Sequence, residues 1–260
     1  MSPSTAIHSY VALGDSFTEG LGDPHPQYPR GCRGWSERVA EELAVHNPRL
    51  RYANLAVRGH HIADVKARQL PQAIAMKPDI VTIYAGYNDL LTMRVNFTEL
   101  AKEYDSVIAR LVDSHAAVIM WTAHDIGWAP VHRHMRGRAA IYSEIVREIA
   151  DRHGAEVVDF WRMNEYRDLR MWNRDRIHMS PLGHQRMAEA VLDTIEAEHS
   201  VHTTPLPPPN PSTALHEYAS TLEWLGKYVA PWLGRQVRGR SSGDGIQPKR
   251  PELKMVRPAA

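Results

Sequence analysis

The sequence predicts an α/β fold, specifically a three-layer α/β/α sandwich around a five-stranded parallel sheet. Two observations lead to this class. Short apolar runs alternate along the chain with longer amphipathic stretches, the pattern of strands joined by crossover helices. With 260 residues, of which 43% are hydrophobic, the chain can also build one sizeable core and still leave an appendage.

Five strands and five main helices account for the first 200 residues. The strands are expected at residues 8–13, 51–55, 80–84, 117–121 and 156–159. Helices are expected at about residues 35–46, 62–76, 97–114, 139–153 and 181–199. Ser180 and Pro181 supply the N-cap and first turn of the last helix. Because an eight-stranded barrel needs more units, right-handed crossovers favour a flavodoxin-like strand order.

The chain divides at a proline-rich stretch. We expect a main domain over residues 1–200, a semi-rigid linker over 201–212, an amphipathic helix over 213–233 and a basic tail over 234–260. Apolar residues at spacings of three and four give the helix one apolar face: Leu215, Tyr218, Leu222, Leu225 and Val229. We expect this helix to dock on the body, because two heptads are few for a dimer seam. The oligomeric state is left open. The tail is expected to be flexible or to lie as an arm on the surface.

Charge and cysteine content narrow the class of protein. The net charge is +1, but the residues from 235 onward carry +5, which leaves about −4 for residues 1–234. A mildly acidic body argues against nucleic-acid binding. The single cysteine, Cys32, cannot form an internal disulfide or a two-cysteine metal site. No export signal or membrane span is apparent, so we expect a soluble cytoplasmic protein.

A candidate nucleophile follows the first strand. The strand ends in Gly14-Asp15-Ser16, where the backbone turns sharply out of the sheet. In open parallel sheets the reactive groups gather beyond the carboxyl ends of the strands. Ser16 therefore suits the role of a nucleophile, although a serine here can also simply cap a helix.

A candidate base and its orienting carboxylate lie just before the last helix. Among fifteen histidines, spacing selects His178, because Asp175 three residues earlier can fold back onto its imidazole. Such a carboxylate fixes the ring tautomer while the other ring nitrogen serves the nucleophile. Two further loops fall on the same rim. Gly59, after the second strand, offers a backbone N–H, and Asn88, after the third, offers an amide. With the backbone N–H of Ser16 they would form a three-donor oxyanion hole.

These blocks resemble those of the SGNH hydrolases, also called GDSL esterases and lipases, over residues 8 to about 198. The resemblance implies that Ser16 is the nucleophile, that Gly59 and Asn88 are oxyanion donors, and that Asp175 and His178 complete the triad. It implies a flavodoxin-like sandwich, a small-molecule ester as substrate, and no required metal or cofactor. Tyr87 stands where a smaller residue is common, so its ring is expected to narrow the acyl pocket.

Three alternatives compete with this interpretation. A flavodoxin-like binding protein would use Ser16 and Thr18 to hold a phosphate, but it would have no use for the Asp175–His178 pair. A metallohydrolase would draw its ligands from one of two groups: His60, His61, Asp175, His178 and His184, or His132 and His134. An α/β-hydrolase is disfavoured because the nucleophile block does not fit the G-x-S-x-G elbow. The basic neighbours of Cys32 can lower the pKa of its thiol, but a surface thiol is favoured.

The substrate is expected to be a small polar or sugar-bearing ester. The rim loops contain aromatic residues that can stack on sugars or simply pack: Tyr87, Trp128, Trp161, Tyr166 and Trp172. Arginines accompany them: Arg133, Arg136, Arg162, Arg167 and Arg170. Since no long apolar lid is apparent, we expect a short acyl chain.

Overall fold

The computed structural model describes residues 7–127, 133–208, 223–224, 226–227 and 242–258. Its centre is one six-stranded sheet in the order β5-β4-β3-β1-β2-β6. The strands are β1 Ser9–Gly14, β2 Arg51–Asn54, β3 Ile80–Tyr84, β4 Ala117–Trp121, β5 Glu156–Val158 and β6 Arg250–Met255. Neighbours among β1 to β5 pair in parallel, whereas β6 runs antiparallel to β2. The α/β class and the flavodoxin-like order of the first five strands are therefore confirmed.

Helices cover both faces of the sheet. They are α1 Ser16–Glu19, α2 Trp35–His46, α3 Ile62–Asp64, α4 Leu70–Met76, α5 Tyr87–Leu90, α6 Phe97–Asp113, α7 Arg136–His153 and α8 Pro181–Thr194. A π-helical segment, Val65–Gln69, joins α3 to α4, so the helix expected over residues 62–76 is present with a local widening. Helix α8 ends earlier than expected, close to Glu196 with its positive φ of 54°.

The two faces of the sheet build two separate apolar cores. On β1, Val11 and Leu13 belong to the core shared with α6 and α7. The alternating residues Tyr10 and Ala12 belong to the other core, together with Trp35 of α2 and residues of α8. Burial on both faces explains why the strands read as continuous apolar runs rather than as alternating ones. The result is the three-layer sandwich predicted from the sequence.

Strand β6 is the main departure from the expected architecture. Where we expected a flexible tail or a surface arm, residues 250–255 add a sixth strand at the β2 edge. The segment has little apolar character, and polar contacts fix it instead. The ammonium of Lys249 is completely buried and forms an ion pair with the buried Glu37 carboxylate at 3.2 Å. Arg250 pairs with the same carboxylate at 3.0 Å.

Some of the expected features fall outside the described residues. The five apolar positions of the helix expected over residues 213–233 do so, as do Trp128 and His132. In the part of the chain that is described, no helix is both long and apolar enough to cross a membrane.

Candidate active site

Ser16 stands at the carboxyl end of β1, as the first residue of helix α1. Gly14 makes this turn possible. Its φ is +142°, and a Cβ there would lie 2.2 Å from the carbonyl oxygen of Tyr84 on β3, so a larger residue does not fit. Asp15 caps α1 through Oδ1, which accepts the N–H of Phe17 at 3.1 Å. Ser16 keeps a small exposed fraction of 8%.

Asp175 and His178 form a compact unit in the loop before α8. Oδ1 of Asp175 accepts the backbone N–H groups of Ile177 and His178 at 3.0 and 2.9 Å. Its other oxygen, Oδ2, lies 2.7 Å from Nδ1 of His178. Arg176 between them has a φ of 54°, a left-handed conformation that tightens the turn. The spacing identified in the sequence therefore does fold the carboxylate back onto the imidazole.

The carboxyl group of Asp175 is ionised in this arrangement. Burial favours the neutral acid, but the hydrogen bond and charge of His178 and the two backbone donors outweigh it, so the pKa lies below its ordinary value. An ionised carboxylate accepts the Nδ1–H of His178. The second ring nitrogen, Nε2, then carries a lone pair and can act as a base.

The structure brings the Ser16 turn and the His178 loop to the same rim. The ring centroids of Phe17 and His178 are 6.0 Å apart. The loop after α1 also packs there, since a Cβ on Gly22 would lie 3.2 Å from Cβ of His178. The residue after Ser16 and the loop that follows α1 are thus both close to His178.

Asn88 lies on the same rim, in α5, and its amide is held firmly. Nδ2 donates one hydrogen to Asp15 Oδ2 and the other to the backbone oxygen of His60, both at 3.0 Å. Gly86 allows the chain to turn here, because a Cβ would lie 2.7 Å from the ring of Tyr142. The residue is where the sequence predicted it. Both of its donors are engaged within the chain, so a developing oxyanion must share or replace one of these acceptors.

Gly59 occupies a turn that an ion pair holds in place. Its φ is +76°. The preceding residue, Arg58, donates its backbone N–H to Glu19 at 2.8 Å and its guanidinium to the same carboxylate at 2.5 Å. The Glu19 side chain is 1% exposed and also receives Arg30 at 3.3 Å. Glu19 was not among the residues predicted from the sequence. Its partner Arg58 lies 39 residues further along the chain, so no local pattern marked it.

Asp15 is a second residue beside the proposed nucleophile whose role was not predicted from the sequence. Burial raises the pKa of its carboxyl to about 7, against the lowering effects of the Phe17 N–H and the His178 charge. This carboxyl is the direct neighbour of Ser16 and the partner of the Asn88 amide. It therefore links the nucleophile turn to one expected oxyanion donor.

His60 and Gln69 form a further support behind the β1 turn. Gln69, at the end of the π-helical segment, accepts from the Gly14 N–H at 2.9 Å and donates to the Gly14 carbonyl at 2.8 Å. Its Nε2 also donates to Nδ1 of His60 at 2.9 Å. Burial lowers the pKa of His60, so the ring is held neutral. Gln69 thus binds both the backbone N–H and the backbone carbonyl of Gly14, the first residue of the Gly14-Asp15-Ser16 turn.

Two histidines of the metal alternative, His184 and His61, have partners of their own. His184 is completely buried, with Nδ1 accepting from the Trp35 N–H at 3.1 Å and Nε2 donating to the Leu21 carbonyl at 2.9 Å. His61 pairs with Asp89 at 3.4 Å, which raises the pKa of His61. Within the described ranges, no three His, Cys, Asp or Glu side chains form a group that could hold a metal ion.

Several aromatic residues expected on the rim pack inside the protein. Tyr166 and Trp172 are 2% and 6% exposed, and the indole of Trp172 donates to the Tyr166 carbonyl at 2.7 Å. Tyr87 lies between Phe17 and His124, with centroids 6.2 and 5.2 Å away. Tyr87 therefore packs against Phe17, the residue after Ser16.

The rim arginines and Cys32 also have ordinary surroundings. Four of the arginines are bound to carboxylates: Arg136 and Arg167 to Asp125, Arg162 to Asp159, and Arg170 to Asp168. Burial raises the pKa of the Cys32 thiol, contrary to the activation that basic neighbours could have produced. Neither feature adds chemistry to the site.

Comparison with known proteins gives a consistent result. Residues 12–186 match the model of the GDSL-like lipase/acylhydrolase family. An acetylxylan esterase from Geobacillus stearothermophilus is 30% identical over 207 residues, which cover 72% of this chain and 93% of that protein.

Solved structures show the same fold. LAE5, described as an alpha/beta hydrolase enzyme from the metagenome of Lake Arreo in Spain, is 27% identical with a TM-score of 0.64, covering 76% of this chain and 99% of that one. The acetylxylan esterase Axe2 from Geobacillus stearothermophilus is 26% identical with a TM-score of 0.61, covering 76% and 98%. Two other structures of Axe2 are of variants described as catalytic mutants, one at a serine and one at a histidine.

Proposed function

The chain belongs to the GDSL-like lipase/acylhydrolase family of ester-bond hydrolases, and we propose that it hydrolyses short-chain acyl esters through Ser16, His178 and Asp175. The observation that carries the proposal is the 2.7 Å contact between Asp175 Oδ2 and His178 Nδ1, which leaves Nε2 as the basic nitrogen. The position of Phe17 beside the imidazole supports the placement of Ser16 next to that base. The family match favours this function over a nucleotide-binding protein without hydrolase activity.

The first half of the proposed reaction is acylation. Ser16 Oγ attacks the ester carbonyl while its proton passes to Nε2 of His178, and Asp175 stabilises the imidazolium that forms. The negative charge on the former carbonyl oxygen is stabilised by the backbone N–H groups of Ser16 and Gly59 and by the Asn88 amide. As the tetrahedral intermediate collapses, the C–O bond breaks and the alcohol leaves with the proton from His178.

Deacylation repeats the sequence with water. His178 takes a proton from the water, whose oxygen attacks the acyl carbon of the Ser16 ester. The second tetrahedral intermediate releases the carboxylic acid, and the proton returns to Ser16 Oγ.

An acetyl group on a sugar hydroxyl is the substrate we favour. Acetylxylan esterases are among the proteins to which this chain is similar. The ring of Tyr87, packed against Phe17 at the proposed site, supports a narrow acyl pocket that suits a short chain.

A series of p-nitrophenyl esters from acetate to laurate tests this function. We expect the highest kcat/KM for acetate and a steep fall with chain length. His178→Ala should lower kcat by roughly 10³-fold or more, whereas the surface variant His46→Ala, which lies away from the site, should match wild type. Preference for long chains would refute the proposed acyl specificity, and an active His178→Ala enzyme would refute the proposed base.

A further inference from the structure

From residue 200 onward, the described residues contact the body at several sites. Ser200 donates to Glu42 on α2, and the carbonyl of Pro207 accepts from Arg170 at 2.6 Å. The family match ends at residue 186. We call the described residues 200–208, 223–224, 226–227 and 242–258 the C-terminal segment. Two of its contacts fall on the loops that carry the proposed chemistry.

The first contact is made by Trp224 on the Asp175–His178 loop. The indole is 3% exposed, and its Nε1–H donates to the backbone oxygen of Asp175 at 2.6 Å. The guanidinium of Arg176 lies over the same ring, 5.6 Å from its centroid. The indole therefore fixes the backbone of the residue whose carboxylate orients His178, and it does so from outside the loop.

The second contact is made by Gly243 on the turn that carries Gly59. A Cβ on Gly243 would lie 2.1 Å from the backbone oxygen of Arg58 and 3.1 Å from Cγ1 of Val57. The two backbones are therefore in direct contact at the residue before Gly59. On the opposite side, Glu19 holds Arg58 through its N–H and guanidinium. The turn is thus clamped between α1 and the C-terminal segment.

We propose that two residues of the C-terminal segment support the active site: Trp224 positions the Asp175–His178 loop, and Gly243 positions the Arg58–Gly59 turn. Both are positioning residues, since each acts through backbone atoms of the residues proposed to carry the reaction. The proposal rests on the proposed function for its kinetic consequences. A positioning role differs from a simple stabilising role, because loss of each contact is expected to change kcat and the pH profile in its own way.

Trp224→Phe tests the first contact. Phenylalanine keeps a ring over Arg176 but lacks the N–H that binds Asp175. On p-nitrophenyl acetate we expect kcat to fall roughly 10-fold with KM little changed, because the base is misplaced only slightly. The acidic limb of the pH profile of kcat/KM should move to lower pH, since a loosened carboxylate stabilises the imidazolium less. Glu223→Ala, at the exposed neighbouring residue, should leave both quantities unchanged.

Gly243→Ala tests the second contact. The added methyl group forces the Arg58 carbonyl to move, which displaces the N–H of Gly59. We expect kcat to fall by roughly 10- to 100-fold, within the range for a weakened oxyanion donor, with the acidic limb of the pH profile unchanged. Gly226→Ala adds the same methyl group to the C-terminal segment where nothing lies within 4 Å, and it should behave like wild type.

A measurement without substrate separates this proposal from the proposed function. The ¹⁵N chemical shifts of the His178 imidazole report which ring nitrogen carries the proton. We expect a defined Nδ1–H form in wild type and Glu223→Ala, and a mixture of the two neutral forms in Trp224→Phe. Failure of the wild-type protein to hydrolyse any ester would contradict the proposed function and leave this test in force. Thermal unfolding identifies variants that do not fold, and if Gly243→Ala is among them, Trp224→Phe decides alone. Wild-type kinetics and wild-type ¹⁵N shifts in Trp224→Phe would overturn the proposal.

Discussion

At the scale of single residues, the site is held in place before any substrate binds. Asn88 donates both amide hydrogens within the chain, to Asp15 and to the His60 carbonyl. Donors oriented in advance need less reorganisation when charge develops, and the proposed oxyanion would have to share or replace only one of these two acceptors. The same bonds set the orientation of the Asn88 amide, so Asp15 is expected to influence how that amide faces the reacting oxygen.

Replacement of Asn88 by alanine tests this role. Asn88→Ala should lower kcat by roughly 10²–10³-fold, the loss expected for one oxyanion donor, with a smaller change in KM. The measurement is steady-state hydrolysis of p-nitrophenyl acetate. Asn96→Ala is the control, because Asn96 caps α6 by accepting from Glu99 and lies outside the site. An Asn88→Ala enzyme as active as Asn96→Ala would exclude the amide from the reaction.

The sequence predicted residues proposed to carry the reactive and donor atoms, but not the residues that hold those groups in position. Ser16, Asp175 and His178 stand in short local patterns, and local spacing alone brings Asp175 onto His178. Glu19 and Gln69 act over long distances in the chain, on Arg58 and Gly14 respectively. No spacing rule relates such partners, because only the packed fold brings them together.

At the scale of elements, α8 is joined to α2 through a buried histidine. His184, in the first turn of α8, accepts from the Trp35 N–H at the start of α2 and donates to the Leu21 carbonyl. Burial lowers the pKa of its imidazole to about 4. Between about pH 4 and pH 6.5 the ring is therefore neutral in the folded protein, whereas in the unfolded chain it would be charged.

This junction predicts a pH dependence of stability. Between pH 6.5 and about 4 the unfolded chain binds a proton at His184 and the folded protein does not. The contribution of His184 is therefore fully present above pH 6.5 and is lost as the pH falls, by about 1.4 kcal/mol per pH unit or on the order of 3 kcal/mol in total. Urea unfolding should show the stability advantage of wild type over His184→Asn shrinking from pH 7 to pH 4.

Asp15→Asn is the matched variant, for which the pH dependence of stability should have the opposite sign. The folded protein keeps a proton on Asp15 between pH 3.8 and about 7, where the unfolded chain has lost it. This contribution is present at low pH and is lost as the pH rises. The advantage of wild type over Asp15→Asn should therefore grow from pH 7 to pH 4. If the free energy of unfolding of both variants changed with pH in parallel with that of wild type, the protonation states assigned to these two buried groups would be contradicted.

Element prediction succeeded where apolar periodicity decides structure. The parallel strands β1 to β5 are buried on both faces and therefore appear as apolar runs. The π-helical segment at Val65–Gln69 leaves no trace in that pattern, because it changes the helix by a single widened turn. Strand β6 was missed because charge pairing and edge pairing, not apolar burial, hold it in place.

At the scale of the whole molecule, the C-terminal segment adds the edge strand β6 to the sheet. The buried ammonium of Lys249 holds this segment in place. The ammonium of Lys249 donates to the carbonyl oxygens of Cys32 and Arg33 at 3.3 and 2.8 Å and pairs with Glu37 at 3.2 Å. Burial lowers the pKa of this lysine, against the raising effect of Glu37. Three acceptors are thus available for the three ammonium hydrogens, and Glu37 supplies the negative charge, which it shares with Arg250.

Removal of this cation should destabilise the protein strongly. Lys249→Met leaves two carbonyl oxygens and part of the Glu37 charge unpaired in the interior, with an expected cost of about 3–5 kcal/mol. Lys254→Met, in the same strand, removes a lysine whose side chain is 72% exposed, and should cost about 0–1 kcal/mol. Urea unfolding compares the two. Equal and small effects would show that the C-terminal segment is not anchored through Lys249.

We propose Ser16 as the nucleophile of an ester hydrolase, and covalent labelling tests this role most directly. The wild-type protein is treated with a fluorophosphonate, and peptide mass spectrometry locates the modified residue. We predict a single label on Ser16, complete loss of labelling in Ser16→Ala, and strongly slowed labelling in His178→Ala. A label on any other residue, or equal labelling of Ser16→Ala and wild type, would contradict the account.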